Sequence, residues 1–131
     1  MRSLWRGEKG QSLVEFALIL PLLLLLLFGT IEFGRVFSAS LVITNAAREG
    51  ARLGAVGKTD AQITQSVKDM CSPPLDGGAL DIEVRPAEGV RAPGGEVTVT
   101  VGYGVSLVTP VLSGIAPNPF PLNAKATMRV E

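Results

Sequence analysis

The chain has 131 residues, 47% of them apolar, and its twelve basic residues balance twelve acidic ones. A neutral chain has no general field to draw in nucleic acid, and these basic residues lack the clustering and aromatic interleaving of nucleic-acid binders. With no histidine and one cysteine, the sequence lacks triads, imidazole metal sites, the commonest general base and an internal disulfide.

The apolar content is unevenly spread. Residues 1–10 carry Arg2, Arg6 and Lys9 against Glu8, a net charge of +2, which favours retaining the N-terminus in the cytoplasm and exporting the rest of the chain, although Arg35, Arg48 and Arg52 lie on the far side. Residues 16–31 are uncharged and include six consecutive leucines, residues 22–27. Sixteen helical residues span roughly 24 Å, short of the ~30 Å hydrocarbon layer. A comfortable crossing therefore recruits Leu13 and Val14 and carries Glu15 to the edge of the lipid or into it. A carboxylate there is costly unless it is protonated or meets a cation.

Three readings of this region compete. A secretory signal peptide would end at a small-residue site such as Ser38-Ala39-Ser40, but Glu32 and Arg35 interrupt the approach to it. A plain signal anchor would leave Glu15 at the inner interface, facing water. In the third reading, cutting after Gly10 creates a new amine on Gln11, one helical turn from Glu15 and on the same face. In an assembly, the amine of one subunit could then neutralise the carboxylate of its neighbour, making Glu15 a register pin between membrane helices.

Gly10, four intervening residues, Glu15-Phe16 and a leucine-rich helix together resemble the class III signal of type IV prepilins and pseudopilins, cut by a prepilin peptidase. The stretch "GQSLVEFALILPLLLLLLFGTIEFGRVFSASLVITNAAREGARLGA", residues 10–55, resembles the TadE-like family of the tight-adherence (Flp) pilus system. TadG-like proteins share this N-terminal pattern, and the short length here favours TadE. The resemblance implies a minor pilin or pseudopilin processed at Gly10/Gln11. Its implied partners are the membrane, the prepilin peptidase, other pilin or pseudopilin subunits and the assembly machinery, with no cofactor or catalytic residue.

Further along, Pro21 deprives the Ala17 carbonyl of its amide partner and favours a kink, which membrane helices tolerate. Glu32 and Arg35 are spaced as an anchoring pair at the outer interface. Over residues 42–55 the helical period sends Ala46, Ala47, Gly50 and Gly54, with Val42, Ile43 and Leu53, to one side, and Thr44, Asn45, Arg48, Glu49 and Arg52 to the other. Two rows of small residues, Ala46-Gly50-Gly54 and Ala47-Ala51-Ala55, permit close backbone approach. Their partner is either another subunit or the chain's own C-terminal domain. Glu49 and Arg52 suit a weak ion pair on an exposed helix, and the resemblance raises Arg48 and Arg52 as docking residues.

After "GAVGK", Thr59 and Gln62 form a capping-box signal, and Ile63, Val67 and Met70 make an apolar stripe on a helix ending near Cys71, whose thiol is expected to be buried and unpaired. "SPPLDGGA" is a breaker. Beyond it lie three alternating runs: Leu80-Ile82-Val84, Val97-Val99-Val101, and Leu122 to Val130 at every second residue. "PAEGVRAPGG" joins the first two in an antiparallel sheet, and residues 104–121 resist assignment. "TVGYG", residues 100–104, spells a potassium-filter signature, but it lies within an alternating strand and there is no second spanning segment, so that function is refused.

The expected architecture is α+β and pilin-like. A leader (residues 1–10) precedes a transmembrane helix (11–34), an amphipathic helical stalk (35–58) and a capping extracytoplasmic domain (59–131) with a short helix and a small antiparallel sheet. The expected location is the bacterial cytoplasmic membrane in a single pass, N-terminus inside. An uncleaved single-pass protein whose external domain binds a partner or wall polymer remains the alternative, and a secreted domain would result from the signal-peptide reading.

Overall fold

The apolar run and the stalk form one helix. In the computed structural model, which describes residues 4–131 with side chains from residue 8 onward, α1 (Leu4–Ala55) is helical throughout its 52 residues, with Pro21 inside it. The expected boundaries at 10/11 and 34/35 coincide with no break in the helix. Of the leader's basic residues, Arg2 and the Arg6 side chain lie outside the description. At the other end, Gly57 adopts φ +84° while the Lys58 amide donates to the Leu53 carbonyl and the Gly57 amide to that of Gly54. This is a Schellman termination, and a glycine meets its positive φ without a Cβ penalty.

The capping box is present as expected. The Thr59 hydroxyl accepts from the Gln62 amide, and the Gln62 side chain accepts from the Thr59 amide, opening α2 (Asp60–Cys71). Such a cap contributes about 1 kcal/mol. The stripe of α2 differs from expectation: Ile63, Val67 and Cys71 are buried, while Met70 is 44% exposed. Measured from Ile63, Met70 sits about 20° to one side and Cys71 about 80° to the other. α1 and the sheet cover the latter side.

The strands pair as an antiparallel meander, β1 (Asp81–Arg85), β2 (Glu96–Val105) and β3 (Phe120–Arg129), with β2 central. Val99 lies opposite Val84 and Ala126, and Val101 opposite Ile82 and Ala124, giving apolar rows across one face. That face packs on α1 and α2, forming a core of Ile43, Ile63, Val67, Cys71, Val99 and Val101 with the small residues of α1. Thr98 and Thr127 pair their hydroxyls on the other face at 2.8 Å. The "TVGYG" segment lies wholly within β2.

The α+β architecture agrees with expectation, but the domain does not cap a stalk. It lies alongside the last third of α1, because the small-residue rows let the sheet and α2 approach there. The C-terminus closes the unit: the Val130 amide donates to Gly95, and the Glu131 amide donates to the Ala55 carbonyl at the end of α1. The unassigned residues 104–121 contain the end of β2, a four-residue helix α3 (Pro110–Ser113) and the start of β3.

Cys71 is fully buried and unpaired, and burial pushes its thiol up from the ordinary value of 9.0. An unfolded thiol ionises more readily than this one, so stability should be indifferent to this group below about pH 9 and should fall as pH rises beyond it. Thermal unfolding from pH 7 to 10.5, with a Cys71→Ala chain as reference, should show a steeper alkaline loss of Tm in the native sequence; parallel profiles would refute the assignment.

Candidate functional site

α1 has two halves with opposite surroundings. From Leu13 to Leu27 every large apolar side chain is exposed. It is the one helix among the described residues long and apolar enough to cross a membrane. From Ala39 onward one face is buried by the chain's own domain. The hydrophobic effect therefore accounts for the second half within a single chain and leaves the first half requiring lipid or other helices.

The residues of the expected processing site lie together at the start of the uncovered half. Gly10, Gln11, Glu15 and Phe16 are all exposed, and the Gln11 amide group donates to a Glu15 carboxylate oxygen at 3.4 Å, a long bond. Nothing stands within 4 Å of where a Cβ on Gly10 would be. Within one chain, then, Glu15 has a marginal partner and an open surrounding.

A second carboxylate closes the uncharged run at its other end. Glu32 is only 5% exposed. Its Oε1 accepts from the Val108 amide (2.9 Å), the Thr109 amide (3.2 Å) and the Thr109 hydroxyl (3.3 Å), and its Oε2 accepts from Arg35 Nη1 at 2.9 Å. The expected Glu32–Arg35 pair thus exists, but the carboxylate also holds the loop between β2 and α3 against the helix. Charge-assisted bonds to backbone amides are the stronger kind, so this loop is positioned rather than merely adjacent. Neighbouring residues leave an apolar groove lined by Phe28, Ile31, Val108 and Pro110. Phe33 and Phe37 stack nearby with ring centroids 6.2 Å apart.

The small-residue face is occupied. Ala46, Ala47 and Ala51 are buried, and a Cβ on Gly50 would stand 3.0 Å from a Val67 methyl and 3.1 Å from a Val99 methyl. On Gly54 it would stand 2.9 Å from a Val97 methyl. Of the two partners open to this face, the chain's own sheet and α2 take it. Arg48 and Arg52 point to solvent on the opposite side. Arg52 pairs with Glu49 (Nε to Oε2, 2.9 Å), and that hydrogen bond holds the Glu49 carboxyl below its usual range.

Sequence reasoning missed one further ionic tie. Arg91, in the β1–β2 loop, has a buried side chain that pairs with Asp60 and donates to the Lys58 and Pro86 carbonyls, while Glu88 accepts from the Asp60 amide. These bonds lock the loop to the start of α2. Apart from the Pro86 bond, which stays within the loop, the partners are some thirty residues apart in sequence, and no local pattern announces them. Among the described residues, no three metal-ligating side chains gather.

The resemblance seen in the sequence is matched by comparison. Residues 10–52 match the family model described as TadE-like protein, a match that begins at Gly10 and ends within the buried part of α1. No curated protein and no solved structure matches the chain.

Proposed function

We propose that the chain is a minor pilin- or pseudopilin-like structural component that helps to assemble or prime a tight-adherence pilus. In this reading a prepilin peptidase cuts after Gly10. The product sits in the bacterial cytoplasmic membrane with Gln11 on the inner side and the α+β unit outside, and its partners are other pilin or pseudopilin subunits and the assembly machinery. The observation that carries the reading is the uncovered apolar half of α1, which begins beside Glu15 within the TadE-like match. A helix left bare in its own chain suits either lipid or a bundle of like helices, and a pilus subunit needs both in succession.

Glu15 gives that bundle a register. Its bond to Gln11 is long, so an α-amine on Gln11 of a neighbouring protomer would be the better partner. Gly10 suits the cleavage: it is exposed, and as a glycine it lowers the cost of unwinding the helix locally by about 1 kcal/mol relative to alanine.

Intact-mass measurement of the native protein from its own membranes tests the reading. The expected product begins at Gln11, and a Gly10→Leu chain should retain residues 1–10 and yield no assembled fibre. A native product that still begins at Met1 would favour the uncleaved single-pass alternative, whose external unit binds a partner or wall polymer.

A further inference from the structure

We propose that the α3 loop is a second membrane contact, dipping into the outer leaflet of the bilayer that α1 crosses, with Glu32 fixing its depth. The inference rests on the membrane-spanning part of the functional reading and goes beyond it. Nineteen helical steps separate Leu13 from Glu32, about 28 Å, so a span that starts at Leu13 reaches the far edge of the ~30 Å hydrocarbon layer at Glu32. The loop is pinned at that level by the bonds from Val108 and Thr109 to Glu32. From there Val108 and Pro110 reach toward Phe28, one turn further into the lipid.

The composition of the loop suits that place. Val108, Val111 and Ile115 are 73%, 51% and 79% exposed, and no charged residue occurs from 106 to 120. On a water-facing surface this would be an unexplained apolar patch. Next to a spanning helix it continues the apolar surface that α1 already offers to lipid. The donors that lead into the turn are met within the chain, the Val108 and Thr109 amides by Glu32 and the Leu107 amide by the Asn118 side chain at 3.1 Å. α3 itself starts without a side-chain cap and leaves its first amides to interfacial water. That confines the loop backbone to the interfacial edge of the bilayer, where its free amides reach water, while the exposed side chains of Val108, Val111 and Ile115 enter the apolar layer. The opposite end of the unit, where Val90 lies in the β1–β2 loop, carries charged Glu88 and Arg91 and would stay in water.

The test uses the full chain in phosphatidylcholine–phosphatidylglycerol vesicles with a Cys71→Ala background. Single cysteines replacing Val108, Val90 and Leu24 each carry an environment-sensitive fluorophore, and quenching by lipids with shallow or deep acyl-chain nitroxides reads depth. The Leu24 probe should respond most to deep nitroxides, Val108 to shallow ones by roughly twofold or more, and Val90 to neither. A quenched Leu24 with an unquenched Val108 overturns the loop contact and leaves the span standing. An unquenched Leu24 removes the span and the loop contact together. A Val108 probe that ignores nitroxides but shifts with protein-to-lipid ratio would assign the patch to a second copy of the chain, and would also overturn the proposal.

Discussion

Replacing Gly50 with leucine is expected to destabilise the folded unit by about 3 kcal/mol or more, at the upper end of overpacking effects. The added side chain would project between Ile63, Val67 and Val99, all fully buried, from a Cβ already 3.0 Å from Val67 and 3.1 Å from Val99. Both valines are β-branched and hold one main rotamer, so they yield by moving backbone rather than by turning aside. Gly50→Ala separates crowding from helix propensity: it gains about 1 kcal/mol of propensity against a tight contact, and should fall close to the native chain. Cys71 supplies the readout, since it is buried in the same core. Its modification rate in urea should show the leucine chain unfolding at clearly lower denaturant, and equal midpoints would mean that the face is not packed as described.

Glu15→Gln should leave membrane insertion intact and reduce incorporation into fibres by about 100-fold. That factor corresponds to about 3 kcal/mol for removing one partner of a buried ion pair, at 1.4 kcal/mol per tenfold change. Glutamine keeps the shape and can accept a hydrogen bond, but offers no charge to an amine on a neighbouring Gln11. The measurement is the ratio of sheared-fibre to membrane-bound protein, with membrane flotation as the control for insertion. Normal incorporation would remove Glu15 from the proposed assembly mechanism while leaving the proposed cleavage after Gly10 to be judged on mass. The two substitutions act on different halves of one helix and should be independent, because Gly50 is about 50 Å along the axis from Glu15 at 1.5 Å per residue.

Local patterns were legible wherever a few neighbouring residues settle the outcome. The capping box at Thr59 and Gln62 needs only a turn of helix, and the alternation in 96–105 and 120–129 needs only a strand with one buried face. The Gly10-to-Glu15 spacing and the uncharged run 16–31 are likewise readable from letters alone, and both lie within the span of the family match, residues 10–52. Met70 and Cys71 mark the limit: both satisfy the helical period, and only the position of α1 and the sheet chose between them.

Composition and periodicity alone determined a helix apolar enough for a membrane, a small-residue face able to accept a close neighbour, and three strands with alternating sides. Only the tertiary structure decided that the neighbour is the chain's own sheet and second helix, and that Glu32 holds a loop 76 residues away. The reason is physical: apolar spacing states how much surface must be covered and on which side, but not what covers it. A buried carboxylate needs donors whose identity is settled only when distant segments meet.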